Sequence, residues 1–186
     1  MAAFKRGRAR IAAAIVTFGV LITCAHVLAL QDDPHSRTET RAPARVGEIA
    51  TVIRVVDGDT IVVQRTGTND TDRVRLIGIN TPELAHGTGA DECFAAEATA
   101  ILQAMLPEAT KIELRRDPTQ LQSDKYGRLL RHVDAEDTGT NIVLALLEAG
   151  AGPEYTYDKP YAGQPEYRAA EANAKTHATG YWGACQ

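Results

Sequence analysis

The chain lacks a surplus of positive charge: among its 186 residues, 20 Lys and Arg face 24 Asp and Glu, a formal net charge of −4. Four of the basic residues, Lys5, Arg6, Arg8 and Arg10, lie in the first ten; without them 16 face 24, a formal −8. That balance excludes tight binding of nucleic acid through bulk electrostatics. Any polyanion has to be held at a local positive site, with the help of a divalent metal. Internal repeats and low-complexity tracts are also absent, so a repeat array is not indicated. Cysteine is scarce, limited to Cys24, Cys93 and Cys185. Apolar residues at 44 % and charged residues at 24 % are ordinary globular composition, and the length allows one domain with a modest core.

What is present begins with a distinctive N-terminus. The basic head is followed by twenty residues, Ile11 to Leu30, without Asp, Glu, Lys or Arg. This is the pattern of a secretory signal peptide or an uncleaved N-terminal hydrophobic helix. The run is long enough to span a bilayer, although His26 and the Ala, Thr and Gly content make it a weak span. Ala25 and Ala29 offer cleavage sites, and Leu21-Ile22-Thr23-Cys24 departs from a lipoprotein box at Thr23. Residues 1–30 therefore read as leader or anchor, 31–45 as a flexible linker and 46–186 as the folded domain. The expected location is secreted or in the cell envelope, with membrane contact through residues 11–30 if they are retained. Outside the cytosol Cys93 and Cys185 make a plausible disulfide, with two free buried thiols as the alternative.

From Val52 a β-rich run ends at Asp57-Gly58-Asp59-Thr60 and resumes through Ile61 to Val63. A polar loop leads to a third strand, Arg73 to Ile79, and three strands in succession imply an antiparallel meander. Helical periodicity covers Ala95 to Leu106, stopped by Pro107. Strands follow over Lys111 to Arg115 and Leu129 to Val133. A second helix spans Ile142 to Ala149, capped by Thr140 or Asn141, and a third runs from Pro165 to Gly180. Five short strands interrupted by a helix suggest an α+β fold built on a small closed barrel, with the OB-fold as the leading candidate.

Three clusters carry chemistry. In Asp57-Gly58-Asp59-Thr60, two carboxylates flank a glycine at a strand turn, which suits a hard cation with oxygen ligands. Alone it is an ordinary turn, and the spacing does not fit an EF-hand. In Arg75-Leu76-Ile77-Gly78-Ile79-Asn80-Thr81-Pro82-Glu83, alternation puts Arg75, Ile77 and Ile79 on one side of a strand, and Pro82 stiffens the loop that ends in Glu83. In Asp124-Lys125-Tyr126-Gly127-Arg128, the glycine permits a turn that re-aims Arg128.

Together with Tyr155-Thr156-Tyr157 and Tyr181-Trp182, these clusters resemble the staphylococcal nuclease-like (thermonuclease) family over about residues 47 to 182. The resemblance implies a five-stranded OB-type barrel with three helices, which hydrolyses DNA and RNA using calcium and leaves 3′-phosphate ends. It implies Asp59 as a direct calcium ligand, Asp57 as a carboxylate behind it, and Asn80 and Thr81 as further ligands, Thr81 through its carbonyl. Glu83 corresponds to the residue that orients or deprotonates the attacking water. Arg75 and Arg128 would stabilise the transition state, Lys125 and Tyr126 would contact a neighbouring phosphate, and Tyr155 and Tyr157 would line the nucleotide pocket. The family's usual residue at Asn80 is aspartate, so weaker metal affinity is expected. Arg115, Arg116 and Arg131 read as strand surface and His132 as structural. No protein partner is indicated, and a monomer is expected. The rival from another class is a catalytically inactive nucleic-acid-binding OB-fold module, which the acidic balance and Asn80 favour.

Overall fold

The computed structural model describes residues 47–85 and 87–185; the expected leader and linker lie outside them. The strands are β1 (Glu48–Asp57), β2 (Thr60–Arg65), β3 (Thr71–Leu76), β4 (Gly78–Ile79), β5 (Lys111–Arg115), β6 (Leu129–Ala135) and β7 (Glu154–Tyr155). The helices are α1 (Ala95–Met105), α2 (Ile142–Glu148), α3 (Gln164–Thr176) and α4 (Tyr181–Ala184). Among the described residues no helix is long and apolar enough to cross a membrane.

Five strands close into a barrel in the order β1-β2-β3-β6-β5. The expected antiparallel meander is β1-β2-β3, with Val52 opposite Val63 and Ile61 opposite Val74. Parallel pairing of β3 with β6 and antiparallel pairing of β5 with β1 complete the ring. Alternation sends Ala50, Val52, Ile61, Val63, Ile112 and Leu114 inward, and all are buried. On α1 the buried face is Ala95, Ala98 and Leu102. Asn141 caps α2 by accepting from the Leu144 N–H. Register shifts at Val52/Arg54 and Val55/Asp57 bend β1 where it reaches the Asp57–Asp59 turn.

The third strand ends earlier than its sequence pattern indicates. Gly78 has φ 100°, and a Cβ there would come within 2.6 Å of the Tyr167 ring. Only glycine allows both the backbone angle and the approach. The chain therefore leaves the barrel after Leu76 and pairs β4 with β7, Gly78 opposite Tyr155. The third helix likewise stops at Thr176 rather than Gly180, because Ala178 and Gly180 turn to positive φ before α4 begins. Cys93 and Cys185 are joined in a disulfide with Cα atoms 5.9 Å apart.

Two arginines expected on the strand surface are drawn inward instead, Arg131 buried and Arg115 half-buried. Arg115 pairs with Asp134 across β5 and β6. Arg131 is only 5 % exposed and donates to the Gln122 and Leu130 carbonyls and to Gln122 Oε1, so it supports the loop entering β6. Burial holds its pKa below the usual arginine range.

A polar hub joins the barrel to its neighbouring loops. His132 on β6 donates from Nε2 to Asp117 Oδ2 at 3.0 Å, and both side chains are buried. Asp117 also accepts from the Ala162 N–H (2.7 Å) and from the N–H and hydroxyl of Thr119 (2.8 and 2.7 Å). Burial opposes its ionisation, but these donors prevail and hold its pKa at about 2. Burial lowers the His132 pKa against the pull of Asp117, so the imidazole is a neutral donor.

Two outcomes are expected. Gly78→Ala should destabilise the protein by more than ~2 kcal/mol, since overpacking and a forbidden backbone angle combine; urea unfolding measures it. The Asp117 carboxylate, with its depressed pKa, stabilises the fold at pH values above ~4 and loses that contribution as pH falls towards ~2. Asp117→Asn should therefore cost on the order of 2 kcal/mol at pH 7 and flatten the acid limb of stability below pH 4, as read by urea unfolding at each pH.

Candidate active site

The three chemistry-bearing clusters meet at one mouth of the barrel. Asp59, at the turn from β1 into β2, is 2 % exposed. Its Oδ2 lies 2.9 Å from Nη2 of Arg75 and accepts from the Thr81 N–H at 3.0 Å, while Oδ1 accepts from the Thr60 hydroxyl at 3.1 Å. Asp57 stands behind it: its Oδ1 accepts from the Asp59 N–H at 3.0 Å. Gly58 lets this turn lie against Thr81, since a Cβ there would fall within 2.6 Å of the Thr81 hydroxyl. Burial pushes the Asp59 carboxyl up to about 6; Arg75 lowers it, but not enough, and Asp57 raises it further.

Arg75, near the end of β3, is 9 % exposed and points into the mouth. Nη1 donates to the Leu76 carbonyl at 2.7 Å, and Nη2 donates to Asn80 Oδ1 at 2.9 Å. The guanidinium thus bridges Asp59 and Asn80. Arg128 approaches from the turn before β6. Nε bonds Asp124 Oδ2 at 2.7 Å and Nη1 reaches the Thr60 hydroxyl at 3.3 Å. Asp124 also accepts from the Tyr126 and Arg128 N–H groups, so one carboxylate shapes the whole turn. Burial would raise the Asp124 pKa, but the bonds from Arg128 and Tyr126 bring it below its ordinary value.

A cleft of about 600 Å³ opens beside these groups, and Arg75, Asn80, Glu83 and Arg128 line it. Lys125, Tyr126, Tyr155 and Tyr157 line it too, all of them exposed. Tyr155 and Tyr157 lie with ring centroids 6.4 Å apart. Lys125 Nζ sits 4.9 Å from the Tyr126 ring centre and Arg128 Cζ 5.6 Å, so the aromatic face is polarised by cations. Asp57, Asp59 and Thr81 do not line this cleft; they lie beneath it, linked through Arg75 and the Thr81 backbone.

Several contributors were not singled out from the sequence. Asp124 was legible in principle, as an Asp three residues before a turn glycine. The tie of Thr60 to Arg128 and the Asp117–His132 hub were not, because those partners are distant in sequence. Leu121, 70 % exposed, also lines the cleft.

The comparisons agree with this geometry. Residues 73–184 match the family model of the staphylococcal nuclease homologue. A thermonuclease of Staphylococcus intermedius is 33 % identical over 137 residues, 70 % of this chain and 76 % of that protein. Endonuclease YncB of Bacillus subtilis (strain 168) is 29 % identical over 150 residues, 80 % of this chain, which spans 66 % of that longer protein. An endonuclease of Escherichia coli O157:H7 is 30 % identical over 131 residues, 70 % of this chain and 74 % of its own. With a closed five-stranded barrel whose mouth gathers Arg75, Asn80, Glu83 and Arg128, and a family match over residues 73–184, the chain belongs to the staphylococcal nuclease homologue family.

Proposed function

We propose that the chain is a calcium-dependent endonuclease that hydrolyses phosphodiester bonds of DNA and RNA and leaves 3′-phosphate ends. The observation that carries the reading is the convergence of two guanidiniums and a carboxylate, Arg75, Arg128 and Glu83, on one cleft with an aromatic rim. Action outside the cytosol belongs to the same reading, supported by the N-terminal charge pattern and the disulfide.

The residues present fit a divalent cation. Asp59 is under-compensated, because Arg75 does not offset its burial and the neighbouring Asp57. Asp59 and Asn80 share one cationic neighbour, Arg75 Nη2, so their oxygens lie together. Among the described residues no three His, Cys, Asp or Glu side chains converge on a metal position. A carboxylate, an amide oxygen and the Thr81 carbonyl, with water completing the set, suit a hard cation held weakly. When bound, calcium would supply positive charge to the scissile phosphate and its attacking water.

The chain's own groups do the rest. Arg75 is held by three acceptors, so its position is set before substrate arrives. Arg128 is braced by Asp124 and aimed by Thr60, and it presents its planar fork to phosphate oxygens. Negative charge grows on those oxygens as water adds, so both guanidiniums bind the transition state more tightly than the ground state. Glu83, exposed at the cleft, accepts the proton of the attacking water. Tyr155 and Tyr157 offer faces on which unstacked bases settle, worth about 1–3 kcal/mol per base.

Digestion of denatured DNA by the purified protein should require calcium and stop with chelator. Glu83→Gln and Arg128→Ala should each lower kcat by at least about a hundredfold, the scale of a lost transition-state contact. Binding without digestion at millimolar calcium would instead support an inactive binding module. Asn80→Asp should lower the calcium concentration giving half-maximal rate, because the site gains a formal negative charge; an unchanged midpoint would remove Asn80 from the ligand set.

A further inference from the structure

We propose that Glu92, held in place by the Cys93–Cys185 disulfide, is a positioning residue for Glu83, so that full activity requires the bridge to be closed. The inference rests on the reading of Glu83 given above.

Glu92 closes the loop that begins at Glu83 from both directions. Its Oε2 accepts the Glu83 N–H at 2.9 Å, and its own N–H donates to the Glu83 carbonyl at 3.0 Å. A second rung follows, Ala85 N–H to Asp91 Oδ1 at 2.7 Å. Glu83, Asp91 and Glu92 are all exposed, so water competes for these bonds and they contribute little unaided. Something else has to hold residue 92 in position.

The backbone beside Glu92 points to the disulfide. Ala95 N–H bonds the Glu92 carbonyl at 3.0 Å, forming a turn whose third residue, Phe94, has φ 72°. A bulky residue adopts that angle only when its surroundings enforce it. Phe94 packs against the core on one side, and Cys93 is bonded to Cys185 on the other. Cys185 follows α4, which is anchored by Tyr181 N–H to the Gly150 carbonyl at 2.8 Å. Three residues on, the Pro153 carbonyl accepts the Asn80 N–H at 3.0 Å. The bridge therefore ties the Glu92 turn to the segment that supports Asn80. Thr81, Pro82, Glu92 and Tyr181 line a second, open pocket of about 430 Å³. Cys93 and Cys185 line it too, so the covalent link spans this solvent-open recess between the Glu92 turn and the residue that follows α4.

Closing the bridge joins the two sulfurs and releases two protons and two electrons, taken up by an oxidised dithiol or glutathione disulfide that becomes two thiols; excess thiol reverses it. Cys93 is exposed, so reductant has access.

The test combines kinetics with amide exchange on the full protein. Reduced wild type, Cys93→Ser/Cys185→Ser and Glu92→Ala should each lose at least about tenfold in kcat with KM nearly unchanged, the pattern of a displaced catalytic group. Glu92→Gln keeps an accepting oxygen and should retain most activity, and reoxidation of the wild type should restore it. Hydrogen exchange at Glu83 and Ala85 should quicken at least about tenfold in the impaired forms, and folded state is checked by near-UV circular dichroism. Wild-type kcat or unchanged exchange in the folded, reduced protein overturns the proposal. If no form digests nucleic acid yet exchange responds as stated, the clamp on Glu83 stands and the nuclease reading falls.

Discussion

The site depends on a buried ion pair, Asp59 with Arg75. Withdrawing both charges from water costs several kcal/mol per ion, and mutual attraction offsets this only when the remaining hydrogen-bonding capacity is met. Here it is met by Thr60 and the Thr81 N–H on the carboxylate side, and by Asn80 and the Leu76 carbonyl on the guanidinium side. These partners come from β2, β3 and the loop after β4, so satisfying one pair draws together three stretches that local propensity leaves independent. The Asp59 carboxyl nevertheless stays near 6 because burial outweighs Arg75, which leaves the site receptive to further positive charge.

The walls of the cleft follow the same logic on a smaller scale. Two of them are loops held by one carboxylate that accepts several N–H or O–H donors, Asp124 within its own turn and Asp117 between two loops. Glu92 accepts the Glu83 N–H across the base of a third loop that carries Glu83 into the cleft. Loops carry backbone groups that no ladder satisfies, and acidic side chains near a turn are efficient acceptors for them. The acidic composition thereby has a structural use. Asp117 and Asp124 are acidic residues that shape the cleft rather than repel its ligand, and the lining presents Arg75, Lys125, Arg128 and Lys159.

Most of the architecture was legible because barrel strands alternate and helices repeat. Asp57–Asp59, Arg75–Glu83 and Asp124–Arg128 were recognisable as motifs, and the structure brings all three to one end of the barrel. The failures share a cause. Arg131 and Arg115 alternate like surface residues, yet pair with Gln122 and Asp134, groups brought alongside by the turn that folds back onto β6 and by the pairing of β5 with β6. The run from Arg73 to Ile79 reads as one strand, yet the rings of Tyr161 and Tyr167 from the far end of the chain demand the break at Gly78.

The sequence by itself determined the order of the five barrel strands and the three longer helices, the residue types able to grip a phosphate, and the two cysteines available to pair, because periodicity and side-chain chemistry are local properties. The two-residue β7 and the short α4 were too brief to show a period. Tertiary structure alone decided that Asp59 is buried behind the cleft rather than within it, that Asn80 and Asp59 share Arg75, and that Glu92 clasps Glu83. Those outcomes depend on which distant groups become neighbours when the apolar faces close, and no local pattern records that.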